Sequence, residues 1–156
     1  GVPAILGEGG TVSNFIGDAV MATFGAPVRQ RDHALRAVRA ALAFLDATDA
    51  VVAEHPEWPR FRVGVNSGPA LVGNIGGEAV RAYTAIGDTV NLAARLEAAS
   101  SPGRVVMGAR TAELAGRSVE RSQLGSLSVK GKAAPVAAFL VEGLALDDER
   151  RRHDWA

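Results

Sequence analysis

The sequence predicts an α+β domain, a sheet built largely from hairpins with helices packed on one face. Three observations carry that expectation. Apolar residues recur at helical spacing over residues 30–54 and 88–99, whereas most of the remainder falls into short extended apolar runs. Strands and helices are mixed without the strict β-α alternation of a doubly wound parallel sheet. The chain's 156 residues, 47% hydrophobic and 22% charged, suffice for one core and exclude a disordered chain.

The elements follow in order. Residues 2–8 are too short for an independently stable helix and read as the last turns of one, ended by Gly9-Gly10. Residues 11–16 and 19–24 are extended runs joined by Gly17-Asp18, the pattern of a β-hairpin with a tight turn. From Gln30 to Glu54, Leu35, Val38, Leu42, Leu45 and Val52 fall on one helical face; Asp32 reads as a first-turn acid, and Pro56 and Pro59 end the helix. Strands are expected over 61–66, 70–74, 80–85 and 104–107. A helix is expected from Asp88 to Ala99, stopped by Ser101-Pro102-Gly103, and a helical turn over 111–115. Residues 119–124, 127–129 and 136–142 complete the strands, and 146–156 read as a charged tail or linker behind a domain of residues 1–145.

Composition removes several function classes. Without cysteine there is no disulfide framework, cysteine–zinc site or thiol nucleophile. A formal net charge of zero gives no general case for nucleic-acid binding. No apolar run approaches the roughly 20 residues of a membrane span, so this segment is expected to make no membrane contact. With no secretory signal pattern, the cytoplasm is the default compartment. The chain opens Gly1-Val2-Pro3 rather than with methionine, which leads us to expect a piece of a longer protein.

Spacing alone leaves each candidate with two readings. Asp18 in a Gly-Asp turn is a good turn residue, and equally a carboxylate on a rigid tip that suits a divalent cation. Asp88, Asn91 and Arg95 share one helical face, either as its solvated side or as a phosphate site served by the planar Arg fork. Lys130 and Lys132, the only lysines, flank Gly131 in either a solvated turn or a phosphate clamp. Gly73–Gly77 lacks the Gly-Lys-Ser/Thr of a P-loop. His33, His55 and His153 lack metal-ligand spacing and read as structural or solvated. No nucleophile-elbow motif is present, so acyl transfer fits poorly.

The strings themselves add more. Phe15-Ile16-Gly17-Asp18-Ala19-Val20-Met21-Ala22, Asp32-His33-Ala34, Val63-Gly64-Val65-Asn66-Ser67-Gly68, the run from Tyr83 through Ile86-Gly87-Asp88-Thr89-Val90-Asn91-Leu92-Ala93-Ala94-Arg95-Leu96 to Glu97, and Val129-Lys130-Gly131-Lys132 resemble the class III adenylate/guanylate cyclase catalytic domain. The likeness runs in order from about residue 4 to 143.

The resemblance implies a ferredoxin-like palm fold that dimerises head to tail, with two composite sites at the interface. It implies attack of the ribose 3′-oxygen of ATP on the α-phosphorus, releasing pyrophosphate and 3′,5′-cyclic AMP, with two Mg²⁺ or Mn²⁺ ions per site. By the same resemblance Asp18 is the second metal-binding aspartate. Asn91 and Arg95 orient the ribose and stabilise transition-state charge, Lys130 or Lys132 holds the terminal phosphates, and Asp88 has no catalytic role. Thr84 and Asn14 occupy the base-reading positions. Thr84 matches the threonine of many bacterial members that use ATP, whereas Asn14 stands where most members have lysine.

Nothing in residues 1–9 supplies the family's first metal aspartate or its strand, so the fold is expected to lack its first strand and the chain alone to be weakly active or inactive. The alternative is a catalytically dead cyclase homology domain that binds nucleotide or dimerises as a regulatory module. A diguanylate cyclase is set aside, because Ile16-Gly17-Asp18-Ala19 is not its Gly-Gly-Asp/Glu-Glu-Phe hairpin.

Overall fold

The structure is a computed structural model that describes residues 2–16, 19–75, 82–127 and 135–145. Its elements are α1 (Val2–Gly7), β1 (Thr11–Ile16), β2 (Ala19–Thr23), α2 (His33–Glu54), β3 (Val63–Val65), β4 (Leu71–Ile75), β5 (Ala82–Ile86), α3 (Asp88–Ala99), β6 (Val105–Gly108), α4 (Ala109–Ala115), a 3-10 turn Gly116–Ser118, β7 (Val119–Leu127) and β8 (Val136–Leu144). The tail over 146–156 lies outside the described residues.

A four-stranded sheet in the order β3-β6-β8-β7 forms the centre, with β3 parallel to β6 and the other pairs antiparallel. β1–β2 and β4–β5 are separate antiparallel hairpins, and β5 lies alongside β1. Among the described residues no strand pairs the β1–β2 hairpin with the central sheet.

β6 is buried throughout because both of its faces are covered. Val105 and Met107 pack with Val38, Ala41 and Leu45 of α2 and with Ala112 and Ala115 of α4. Val106 points the other way, against Leu92 and Leu96 of α3 and Ala138 of β8. Successive strand residues face opposite sides, so the helices cover both faces of the sheet rather than the one expected from the sequence. The same alternation explains Gly64 on β3. A Cβ there would run into Glu97 N and Ala93 O of α3, so glycine lets the helix backbone lie directly on the strand.

Other differences from expectation have local causes. Residues 119–124 and 127, expected in two separate strands, lie in one strand, β7, and residues 128 and 129 of the second expected strand are outside the described residues. Gly125 sits at φ 130°, where the pairing register with β8 shifts, as a glycine bulge allows without ending the strand. The helical turn expected over 111–115 begins two residues earlier, at Ala109. Asp32 occupies the N-cap position of α2 but makes no side-chain cap hydrogen bond; its carboxylate instead accepts from Arg36 Nε at 2.8 Å. The short α1 is held by tertiary contact: Arg36 Nη1 of α2 donates to Glu8 O at 3.2 Å, and Ile5 is buried.

Two carboxylates, Asp32 at the N-cap of α2 and Asp49 within the helix, are held below the ordinary value of 3.8, Asp32 chiefly by its hydrogen bond from Arg36 and Asp49 chiefly by its hydrogen bonds from Arg60. Arg60 donates to Asp49 through Nε at 3.1 Å and Nη2 at 2.9 Å, tying α2 to the segment that leads into β3. A depressed folded-state pKa contributes stability in full above the unfolded value, and that contribution is lost as pH falls through the folded one. Stability is therefore expected to drop below about pH 4. Asp49→Asn should flatten this acid limb in thermal unfolding measured against pH; an acid limb identical to wild type would refute the assignment.

Candidate active site

α3 presents the first two candidates. It starts directly after β5 at Gly87, whose φ of 132° favours glycine, and its buried side is Leu92 and Leu96. The periodicity places Asn91 and Arg95 one turn apart on the outer face, and both are exposed. Among the described residues neither side chain makes a hydrogen bond or ion pair, although the Asn91 backbone N donates to Gly87 O at 3.1 Å. By contrast, Arg36, Arg60, Arg62, Arg104 and Arg110 are each matched to a carboxylate. Two side-chain donors on one exposed face, without acceptors among the described residues, have the chemistry to bind an anionic group. Asp88 is the first residue of α3, exposed, where a carboxylate complements the helix N-terminus.

The two positions expected from the resemblance to read the base sit on adjacent strands. Asn14 lies on β1 opposite Met21, Thr84 lies on β5 opposite Gly73, and β5 runs beside β1. Two residues 70 positions apart are thus carried by neighbouring strands, and the chain leaving β5 enters α3 within two residues.

The other candidates are located only by their flanks. Asp18 lies between the end of β1 and the start of β2, and Lys130 and Lys132 lie between β7 and β8; all three are outside the described residues. Residues 76 and 77 of the glycine-rich bend are also outside them. Among the described residues no three His, Asp or Glu side chains gather as a metal site. His33 opens α2 beneath Gly25, and His55 stacks on Trp58 at 4.0 Å, so both take part in packing; His153 lies outside the described residues.

The base of the β1–β2 hairpin is held by a residue that the sequence did not single out. Gln30 Oε1 accepts from Gly25 N at 3.0 Å while its Nε2 donates to Gly9 O at 3.1 Å. One amide thereby joins the chain entering β1 to the chain leaving β2. A second unforeseen group surrounds the start of α3. Asn66 Nδ2 donates to Thr89 O at 3.0 Å, Thr89 Oγ1 donates to Pro69 O, and the Ser67 and Thr111 hydroxyls share a hydrogen bond at 2.8 Å. The only signal for it was the motif around Asn66, which does not say where its amide points.

Comparison with known proteins matches this layout. The family model described as the adenylate and guanylate cyclase catalytic domain matches residues 11–143. Adenylate cyclase 1 of Rhizobium meliloti is 36% identical over 143 residues, 86% of this chain and 21% of that protein. Guanylate cyclase soluble subunit beta-2 of Rattus norvegicus is 35% identical over 137 residues, 86% of this chain and 20% of that protein. The chain thus spans about a fifth of the length of these relatives.

Among solved structures, the adenylyl cyclase CyaB from P. aeruginosa superimposes with a TM-score of 0.85 at 32% identity, covering 94% of this chain and 78% of that one. The guanylyl cyclase Cya2 superimposes with a TM-score of 0.86 at 34% identity, covering 93% and 76%. Similarity to adenylyl and guanylyl enzymes alike leaves the purine open and the reaction class common to both. With the family match spanning nearly the whole described fold, this chain belongs to the adenylate and guanylate cyclase catalytic-domain family, whose members are lyases.

Proposed function

We propose that the domain converts ATP to 3′,5′-cyclic AMP and pyrophosphate as a head-to-tail homodimer. The observation that carries this reading is the pair Asn91 and Arg95, one turn apart on the exposed face of α3, their side chains without partners among the described residues. In the proposed reaction the ribose 3′-oxygen bonds to the α-phosphorus and loses its proton. The bond from that phosphorus to the bridging oxygen breaks, and pyrophosphate leaves with the electron pair. Asn91 orients the ribose. The Arg95 fork donates to phosphate oxygens as charge builds on them, and such preorganised donors stabilise a transition state by several kcal/mol. Lys130 or Lys132 neutralises the terminal phosphates. Asp18 is the carboxylate proposed to hold Mg²⁺ or Mn²⁺, which when bound supplies positive charge to the triphosphate.

ATP is the favoured nucleotide because Thr84 accepts from the adenine amino group, and no acid stands there to pair with the guanine edge. Asn14 donates to a ring nitrogen as a neutral amide. The apolar pair Leu71 and Ile86 supports self-association. They stand opposite one another on β4 and β5 and remain 68% and 47% exposed, side chains on one sheet face that a second copy would cover.

A second reading rests on Asn14, an uncharged residue at a base-contacting position: a domain that binds nucleotide or dimerises without turnover. The deciding experiment measures cyclic AMP and cyclic GMP formation with Mn²⁺ and ATP or GTP, on the 156-residue chain and on the chain with whatever native sequence precedes Gly1. Cyclic AMP formed at a rate rising faster than linearly with protein is the expected result for the active form. Nucleotide binding with no product in either form would establish the second reading, and preferential cyclic GMP would overturn the assignment of Thr84.

A further inference from the structure

Asn91 and Arg95 act only if the first turns of α3 are held in place, and the helix has no side-chain cap at Gly87 to do so. The loop after β3 supplies the restraint. Asn66 Nδ2 donates to Thr89 O at 3.0 Å, and Thr89 Oγ1 donates back to Pro69 O, so residues 66–69 grip α3 two positions before Asn91. The space for this grip is kept clear by glycine: a Cβ on Gly108 would stand 2.5 Å from Asn66 Oδ1, and one on Gly68 2.8 Å from Thr89 Oγ1. The loop is itself anchored from the far side, where Ser67 Oγ and Thr111 Oγ1 lie 2.8 Å apart and Thr111 is fully buried on α4. The grip is formed by neutral hydrogen bonds, which are directional and fix geometry rather than supply charge.

We propose that Asn66 is a positioning residue for the reaction, acting through Thr89 to set where Asn91 and Arg95 meet the nucleotide. The inference rests on the cyclase reading above and adds a residue to which no catalytic role has been given. A donor pair displaced by a fraction of an ångström still binds the triphosphate, but it no longer matches the transition state. The signature is therefore a fall in kcat with KM little changed.

The test compares three variants with wild type in the cyclase assay, with thermal unfolding measured in parallel. Asn66→Asp keeps the shape but presents an acceptor to Thr89 O; kcat is expected to fall about tenfold or more with KM within about threefold. Thr89→Val removes the second tie and should lower kcat in the same selective way, to a smaller extent. Ser67→Ala removes the anchor behind the grip and leaves a buried hydroxyl unsatisfied, so it should lower the melting temperature and reduce kcat less than Asn66→Asp does. An active wild type whose Asn66→Asp and Thr89→Val forms keep full kcat, or lose it only in step with their unfolded fraction as a structural role predicts, would overturn this inference alone. A wild type with no turnover in any form would overturn the cyclase reading and this inference with it.

Discussion

Replacing Arg95 by alanine is expected to lower kcat by about 10²–10³-fold, the loss typical when one preorganised donor is removed from developing charge. Its guanidinium is exposed on α3 and makes no ion pair among the described residues, so nothing in the packing depends on it. The melting curve of Arg95→Ala should therefore overlay that of wild type, as surface substitutions away from special features do. Arg95→Lys retains the charge but loses the planar fork, and should recover only part of the rate.

The proposed homodimer, if its sites are shared between protomers, adds a stricter test. In a mixed dimer of Asp18→Ala and Arg95→Ala, one interface site carries both substitutions and the other carries neither, so mixing two inactive variants should restore activity. A kcat for Arg95→Ala within threefold of wild type would remove the residue from the mechanism. Failure of the mixture to recover, with dimers confirmed, would remove the shared site.

The second large effect is expected from one methyl group. Gly64→Ala places a Cβ against Glu97 N and Ala93 O, both backbone atoms that cannot rotate away. Either β3 or α3 must shift. Overpacking of this kind costs typically about 1–3 kcal/mol, which in a domain of this size lowers the melting temperature by roughly 2–12 °C. Because α3 carries Asn91 and Arg95, the displacement should also reduce kcat in the fraction that remains folded. Gly143→Ala on β8 is the matched control, since a Cβ there meets nothing within 4 Å. Equal stability of the two variants would show that α3 tolerates the methyl and that the close approach is not a constraint.

These two residues mark different degrees of legibility. Arg95 could be placed on an outward helical face from spacing, because Leu92 and Leu96 fix the buried side and the 3.6-residue period fixes the rest. The role proposed for it comes from the motif run that contains it, not from the period. Gly64 stood inside a recognised string, yet its importance depends on a helix that begins 24 residues later crossing directly above it. The same holds for Gln30, whose amide joins residues on either side of a hairpin, and for Asn66, whose donor finds a carbonyl 23 positions away. The interruption expected between residues 124 and 127 is a bulge at Gly125 within one strand, since a glycine gives a bulge and a strand end the same local sign.

What the sequence determined by itself was local or written in motif order. The hairpin, the long amphipathic helix, the short helix bearing Asn91 and Arg95, and the cyclase family all follow from periodicity, turn residues and contiguous strings. What only the tertiary structure decided was which elements meet. It placed helices on both faces of the central sheet, set β5 beside β1 so that the strands of Asn14 and Thr84 adjoin, and laid α3 on Gly64 beneath the grip of Asn66. The physical reason is that periodicity records which face of an element is buried but not what buries it. A hydrogen bond or close approach between distant segments depends on the packing of the whole domain.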